Sequence, residues 1–244
     1  MGPNPIVIIT AITMTTITTD AGWLLPLSAW LSPSYPVGAY SYSHGIEWAV
    51  EVGLVTDRIS LADYVATALE AGGGWTDLVL LAATWRAAET GDDAGLDDVA
   101  ELAFALRGTA ETALESTQQG TAFVLATRAA WPGTPLDRLA SRHDDVLAYP
   151  VAVGAAAAGK SIPLAALLPA YAQAFAANLI SAGLRLIPLG QTDGLRALAA
   201  LTPVIQAAAD RAAATPLGQL GTAAPRLDFC SMRHETQYTR LFRS

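Results

Sequence analysis

The segment LAALLPAYAQAFAANLISAGL, residues 164–184, indicates how the whole chain folds. It consists largely of alanine and leucine, which are strong helix formers. Helical periodicity and the same composition extend outward from it, back to Ala21 and forward to Ala214, whereas alternating runs of β-branched residues are nearly absent there. The sequence therefore predicts an all-α fold.

Proline, glycine and capping residues divide this fold into about ten predicted helices. Residues 32–38 form a loop, Gly53 ends the helix that follows it, and three glycines at 72–74 break the next helix. The later helices are predicted at Asp77 to Glu89, Leu96 to Arg107, Ala110 to Ala130, Leu136 to Ala148, Val151 to Ala158, Leu164 to Leu184, Thr192 to Leu201 and Pro203 to Ala214.

The uncharged run between Lys160 and Arg185 is long enough to cross a bilayer, and the mean hydropathy of the chain is +0.35. Its content argues against a membrane span. Pro163, Pro169 and Asn178 interrupt the run, and alanine gains little from contact with lipid. We therefore expect a buried helix of a soluble bundle, with an Ala-rich membrane protein as the weaker alternative.

The composition limits the classes of protein to which the chain can belong. At 244 residues and 52% hydrophobic content, the chain can bury a sizeable core in a single domain. Its net charge is −8 and Lys160 is its only lysine, so no basic stripe is available for nucleic acid. Cys230 is the only cysteine, which excludes an internal disulfide and is consistent with a cytoplasmic location.

Both ends of the chain differ from the helical domain predicted at residues 21–214. Residues 1–20 are rich in Thr and Ile and lack the positive start of a signal peptide, which predicts a disordered extension. Residues 215–244 turn to Pro, Gly and polar residues and end in a charged, aromatic segment. They predict a tail that stays mobile until a partner binds it. If so, deleting residues 231–244 should leave the thermal stability nearly unchanged.

One segment matches a nucleotide-binding motif. Residues Gly154 to Ser161, GAAAAGKS, fit the phosphate-loop pattern G-x-x-x-x-G-K-S/T. However, four successive alanines favour helix, and Pro163 stands where the nucleotide-binding helix should run. We expect Gly159 to end one helix and Ser161 to cap the next. A P-loop nucleotide-binding enzyme is therefore the alternative function, not the preferred one.

The remaining candidate chemical groups do not assemble into an active site. Cys230 and His234 are four residues apart and could share a helical face, but two ligands do not close a metal site, and neither His44 nor His143 completes it. No nucleophile lies in a recognisable elbow. Five acidic residues cluster around a turn and a helix start: Asp92, Asp93, Asp97, Asp98 and Glu101. The sequence predicts no catalytic residue, metal site or cofactor.

Four segments together resemble the UreF family of urease accessory proteins. They are SPSYPVGAYSYSHGIE at 32–47, Glu115 with QQG at 118–120, SAGLRLIPLGQTD at 181–193, and SMRHETQYTRLFRS at 231–244. The first and last are specific, and the resemblance extends from Leu25 to the C-terminus. The family-type residues are Ser32, Pro33, Pro36, Gly38, Tyr40, Ser41, Gly45, Glu47, Gln119, Gly120, Arg185, Pro188, Gly190 and Gln191. Departures from the family pattern are Thr239, Leu195 and residues 1–20.

The resemblance implies a protein that is not an enzyme but a dimeric scaffold in the cytoplasm. Such a protein binds UreD (also called UreH) and recruits the GTPase UreG to apo-urease for nickel insertion. The last segment mixes arginine with aromatic residues, a composition typical of interface anchors. The predicted partner-binding residues are therefore Arg233, His234, Glu235, Tyr238, Arg240, Leu241, Phe242 and Arg243.

Overall fold

The computed structural model describes residues 21–244, and the predicted disordered extension at 1–20 lies outside them. Within the described range there are twelve α-helices, two short 3-10 helices and no strand. The all-α prediction is confirmed, with more helices than the ten expected. The α-helices are α1 Leu24–Trp30, α2 Ile46–Glu51, α3 Arg58–Ala71, α4 Gly73–Thr90, α5 Asp93–Ala105, α6 Ala110–Ala130, α7 Thr134–Arg142, α8 Tyr149–Gly159, α9 Leu164–Leu186, α10 Gln191–Ala200, α11 Thr202–Ala214 and α12 Pro225–His234.

Helix boundaries follow local chemistry where caps are strong. Before α6, the Thr109 side chain accepts the Thr112 N–H, and the Thr112 hydroxyl is bonded to the Thr109 N–H in return. This helix has the bounds predicted from sequence. The prediction for α7 was too long: the helix ends at Arg142 because Asp144 and Asp145 adopt positive φ values of 52° and 61°.

Helix α8 lies at the centre of the bundle, packed against α4, α6 and α7. Its residues 150–158 are all buried, and Gly154 allows close contact, since a Cβ there would lie 2.9 Å from the Leu81 carbonyl oxygen. The segment that matched a phosphate loop is thus mostly a core helix, with the Lys160 ammonium donating to the Pro132 carbonyl at 3.0 Å. The P-loop interpretation is wrong.

The junction after α8 also differs from the prediction. Gly159 does end the helix, as expected. Ser161 does not cap the next helix: it has a φ of 53°, and α9 begins after Pro163 without a side-chain cap.

Helix α9 is the one described helix that is long and apolar enough to cross a membrane by length and composition. It packs against α2, α3, α4, α10 and α11 and buries nine residues, including Leu167, Tyr171 and Leu179. Asn178 and Arg185 on the same helix donate to the carbonyls of Ala39 and Tyr40. These contacts are those of a core helix in a bundle, and they do not indicate a membrane protein.

Candidate functional site

The C-terminal tail folds back onto the bundle. Its first part forms α12, which packs against α2 and α6, and Cys230, Ser231 and His234 on this helix are buried. The prediction of a tail that stays mobile until a partner binds it did not anticipate this packing. The physical reason is that polar groups buried in α2 and α6 bind the tail's backbone and side chains at specific positions.

Glu47 on α2 contacts three residues of the tail. Its carboxylate accepts the backbone N–H groups of Leu241 at 2.6 Å and Phe242 at 2.8 Å. Its Oε2 also lies 3.1 Å from the Nε2 of His234. Since the Glu47 side chain is only 8% exposed, these contacts satisfy a carboxylate that burial would otherwise penalise.

His234 connects two helices through its imidazole ring. It is fully buried, with Nε2 facing Glu47 and Nδ1 at 2.9 Å from a carboxylate oxygen of Glu111 on α6. Each ring nitrogen therefore has a carboxylate oxygen within hydrogen-bond distance. Burial raises the pKa of Glu111, while hydrogen bonding to His234 and the Arg240 charge act in the opposite direction.

The last two residues of the chain bind the loop that precedes α2. The Ser244 carbonyl accepts from the N–H of Ser43 at 2.6 Å and from its hydroxyl at 2.5 Å, and the Ser244 hydroxyl donates to Glu115 at 2.9 Å. The Arg243 N–H donates to the Ser41 carbonyl at 2.8 Å. Ser244 is thereby completely buried.

Phe242 fixes the tail to α9. The ring is 3% exposed, and the Arg185 guanidinium carbon lies 4.2 Å from its centroid. Arg185 also donates to the Tyr40 carbonyl at 2.8 Å, so the same side chain connects the 3-10 turn Ala39–Ser41 to the tail. Such a stacked, hydrogen-bonded guanidinium is a role that lysine cannot reproduce.

The family-type segments therefore converge, although they lie far apart in sequence. Ser41, Glu47 and Arg185 contact the tail directly, and Gln119 donates to Glu115 at 2.8 Å. Two glycines permit close approach: a Cβ on Gly45 would lie 2.6 Å from the Ser231 nitrogen, and one on Gly120 would lie 1.9 Å from the Leu147 oxygen.

Other family-type residues lie elsewhere in the fold. Pro188 and Gly190 lie in the turn from α9 into α10, and Gln191 is the first residue of α10. Ser32, Pro33, Pro36 and Gly38 lie in the loop between α1 and the 3-10 turn, where Gly38 has a φ of 73°.

The predicted partner-binding residues divide into two sets. His234 and Phe242 face this protein's own core. The others are exposed: Tyr238 completely, Leu241 at 63%, and also Arg233, Glu235, Arg240 and Arg243. We call these six residues, together with Phe229 and Met232, the outer tail face. Phe229 and Met232 on α12 are about half exposed, and sequence analysis did not single them out.

Sequence analysis also missed several groups that hold the tail. Glu111, Ser43 and Ser244 were not among the predicted site residues, and Glu115 appeared only as part of a family-type segment. Glu111, Glu115 and Gln119 recur every four residues and so share one face of α6, and this spacing is the one signal that could have identified the two glutamates.

The histidine and cysteine of the tail do not form a metal site. Both ring nitrogens of His234 face carboxylates, and the Cys230 thiol is buried beside Tyr64, with burial raising its pKa. Among residues 21–244, no group of three or more His, Cys, Asp or Glu side chains is arranged to hold a metal ion.

Known proteins resemble this chain over most of its length. The sequence profile of the UreF family matches residues 55–202. The urease accessory protein UreF of Granulibacter bethesdensis is 57% identical over 94% of this chain and 97% of its own length. Proteins of the same name from Rhodopseudomonas palustris and Bradyrhizobium diazoefficiens are 54% and 49% identical, over 91% and 92% of this chain and 93% of their own lengths.

The relatives of this helical chain are named as accessory proteins, and the chain is of that class rather than an enzyme. More particularly, the chain belongs to the UreF family of urease accessory proteins.

Proposed function

We propose that this protein is a scaffold of the urease maturation complex. In this proposal it works in the cytoplasm as a homodimer, binds a UreD/UreH-type protein, and recruits the GTPase UreG to apo-urease for nickel insertion. The names of its relatives support a role as a urease accessory protein. The individual partners and the nickel step go beyond those names.

The observation that supports partner binding is the arrangement of the outer tail face. Its inner side is held by Glu47, Glu111 and Glu115, so its outer side is presented in a fixed shape. A preorganised surface loses less conformational entropy on binding than a flexible one. In this proposal the partner docks onto a tail that is already folded and does not have to order a flexible one.

The chemistry of the outer tail face suggests the kind of surface it recognises. Arg233, Arg240 and Arg243 are exposed there beside Tyr238 and Leu241 on a protein with a net charge of −8. Aromatic and arginine side chains are the residues most enriched at binding hot spots. We therefore expect the UreD-type partner to offer carboxylates around an apolar patch.

A matched pair of variants tests this proposal. Leu241→Ser and Leu195→Ser each remove one leucine side chain that is more than half exposed, the first on the outer tail face and the second on α10. Calorimetric titration with the UreD-type partner should show at least tenfold weaker binding for Leu241→Ser, about 1.4 kcal/mol, and no change for Leu195→Ser. Equal affinities for both variants and the unmodified protein would place the interface elsewhere.

Downstream steps require the assembled complex. Co-expression of the unmodified chain with UreD-type, UreG-type and apo-urease proteins should give nickel-loaded, active urease in the soluble fraction. Leu241→Ser should reduce the urease activity and the recovery of UreG with the complex together. If UreG recovery is unaffected while the UreD-type protein is lost, the recruitment order proposed here is wrong.

A further inference from the structure

One line of residues along α6 faces solvent and is uncharged. Leu114, Gln118, Thr121 and Leu125 follow each other at spacings of four, three and four residues, so they share one face of the helix. The two leucines are 48% and 59% exposed, and the two polar residues between them are partly buried. We call these four residues the α6 strip.

The exposed faces of other helices in this bundle are charged. Helix α5 exposes Asp98 and Glu101, and α11 exposes Asp210. In α6, by contrast, residues 116–127 include no charged side chain. Charged residues are depleted at the centres of protein interfaces. The α6 strip is therefore better suited to contact with a partner than to contact with water.

The first turn of α6 lies beside the outer tail face. The Glu235 carboxylate accepts the N–H of Ala110 at 3.2 Å, and Arg240 donates to Glu111 at 3.0 Å. Leu114 comes one turn after Ala110 on the same side of the helix. The α6 strip thus begins where the outer tail face contacts the helix.

A second link between the two surfaces lies farther along α6. The Tyr42 hydroxyl donates to Oε1 of Gln118, within the strip, at 2.5 Å. The carbonyl of the preceding residue, Ser41, accepts the N–H of Arg243 at 2.8 Å. Because contacts join them at two places, the α6 strip and the outer tail face form one continuous surface.

The outer tail face is too small to be a complete interface. It comprises eight residues, whereas a stable interface takes about 20–30 residues from each partner. A protein docked there must therefore cover neighbouring surface as well. The α6 strip offers uncharged side chains for the centre of such a contact, and Arg240 and Arg243 offer charges for its edge.

We propose that the protein that binds the outer tail face also covers the α6 strip. It places an apolar surface on Leu114 and Leu125 and its carboxylates at the arginines of the outer tail face. This inference rests on the proposed function, because the same UreD-type partner is the occupant. It assigns the centre of the contact to α6 and makes the tail one flank of it.

Affinity measurements on leucine variants test the α6 strip. Calorimetric titration with the UreD-type partner should show at least tenfold weaker binding for Leu125→Ser, as for Leu241→Ser, and no change for Leu195→Ser on α10. Leu125→Ser should melt at the same temperature as Leu195→Ser, which excludes a folding defect. If Leu241→Ser weakens binding and Leu125→Ser does not, the α6 strip is refuted and the proposed function stands. If neither variant weakens binding, both fail.

Chemical labelling tests coverage of the strip without relying on a change in affinity. Cys230, the only cysteine of the chain, is buried, so Leu125→Cys supplies a single exposed thiol. A saturating concentration of the UreD-type partner should slow maleimide labelling of Leu125→Cys at least tenfold and leave labelling of Leu195→Cys unchanged. Equal labelling of Leu125→Cys with and without bound partner would refute the strip.

A second copy of this chain is the competing occupant of the α6 strip. If a second copy covers it, labelling of Leu125→Cys slows as the concentration of the chain alone rises, and the UreD-type partner adds no further protection. That result would overturn the proposal. Labelling that is independent of chain concentration and slowed only by the partner is the result we expect.

Discussion

At the scale of single residues, Glu47 shows how one buried carboxylate can position a chain terminus. It accepts two consecutive backbone N–H groups, as an anion does at a helix N-terminus, and it also faces a ring nitrogen of His234. Glu111 on α6 likewise joins α12 to the final segment, through His234 and Arg240.

We predict that Glu47→Ala destabilises the protein strongly. The change removes three hydrogen bonds to a charged group and leaves His234 buried beside an empty space. Each such bond contributes about 1.5–3 kcal/mol, so the free energy of unfolding should fall by at least about 3 kcal/mol. Denaturant titration measures it. The control Glu51→Ala, on the exposed end of α2, should change it by less than about 1 kcal/mol.

His44 should make the stability of the protein depend on pH. Its folded-state pKa is raised above 6.5, so its contribution is fully present below pH 6.5 and is lost as the pH rises through the folded-state pKa. The free energy of unfolding of the unmodified chain should therefore fall across this window relative to that of His44→Gln, which keeps a donor for Glu115 but does not titrate. Parallel pH profiles for the two proteins would contradict the prediction.

At the scale of helices, the contact between α2 and α12 requires a glycine. Gly45 has a φ of 77°, and its Cα faces the backbone of Ser231. Gly53, at the other end of α2, has a φ of 73° but open space around it. The two glycines thus share the same backbone conformation and differ in their surroundings.

Alanine substitutions at Gly45 and Gly53 distinguish the cost of backbone strain from the cost of steric exclusion. Gly53→Ala should lower the free energy of unfolding by about 1–2 kcal/mol, the cost of left-handed backbone for a residue with a Cβ. Gly45→Ala should cost clearly more, because its Cβ must also displace α12. Thermal unfolding of both variants tests this, and similar losses at the two positions would argue against close packing of α12.

Removal of the last five residues should also destabilise the protein. Truncation after Thr239 exposes the surface that Phe242 covers and removes the partners of Ser43 and Glu47. Burial of a phenylalanine alone is worth about 1.5–3 kcal/mol, which predicts a clear fall in melting temperature. The interpretation of the tail as a mobile segment predicts no change. A truncated chain with an unchanged melting temperature would favour that interpretation.

Some helices could be predicted from sequence and others could not, for physical reasons. The bounds of α6 were recovered because Thr109 and Thr112 form a local capping pair. Helix α12 was missed because its ten residues include Pro225, Arg226 and Arg233 and its hydrophobic face is short. Its stability comes from packing against α2 and α6 rather than from helix propensity.

At the scale of the whole molecule, the sequence showed which segments matter but not what they contact. Glu47 and His234 are 187 residues apart, and no periodicity relates them. Arginine and aromatic residues on a chain end are equally suited to a partner and to the protein's own core, so composition could not assign His234 and Phe242 to the interior. Only the assembled fold separates these two from the outer tail face.

The central claim is that the tail is a fixed part of this fold before any partner binds. Amide hydrogen exchange of the isolated protein, followed by mass spectrometry, tests it directly at Leu241 and Phe242, whose N–H groups donate to Glu47. We predict that the peptide covering residues 240–244 exchanges far more slowly than an unstructured peptide of the same sequence, and that Glu47→Ala removes this protection. Exchange at the unstructured rate in the unmodified protein would contradict the account.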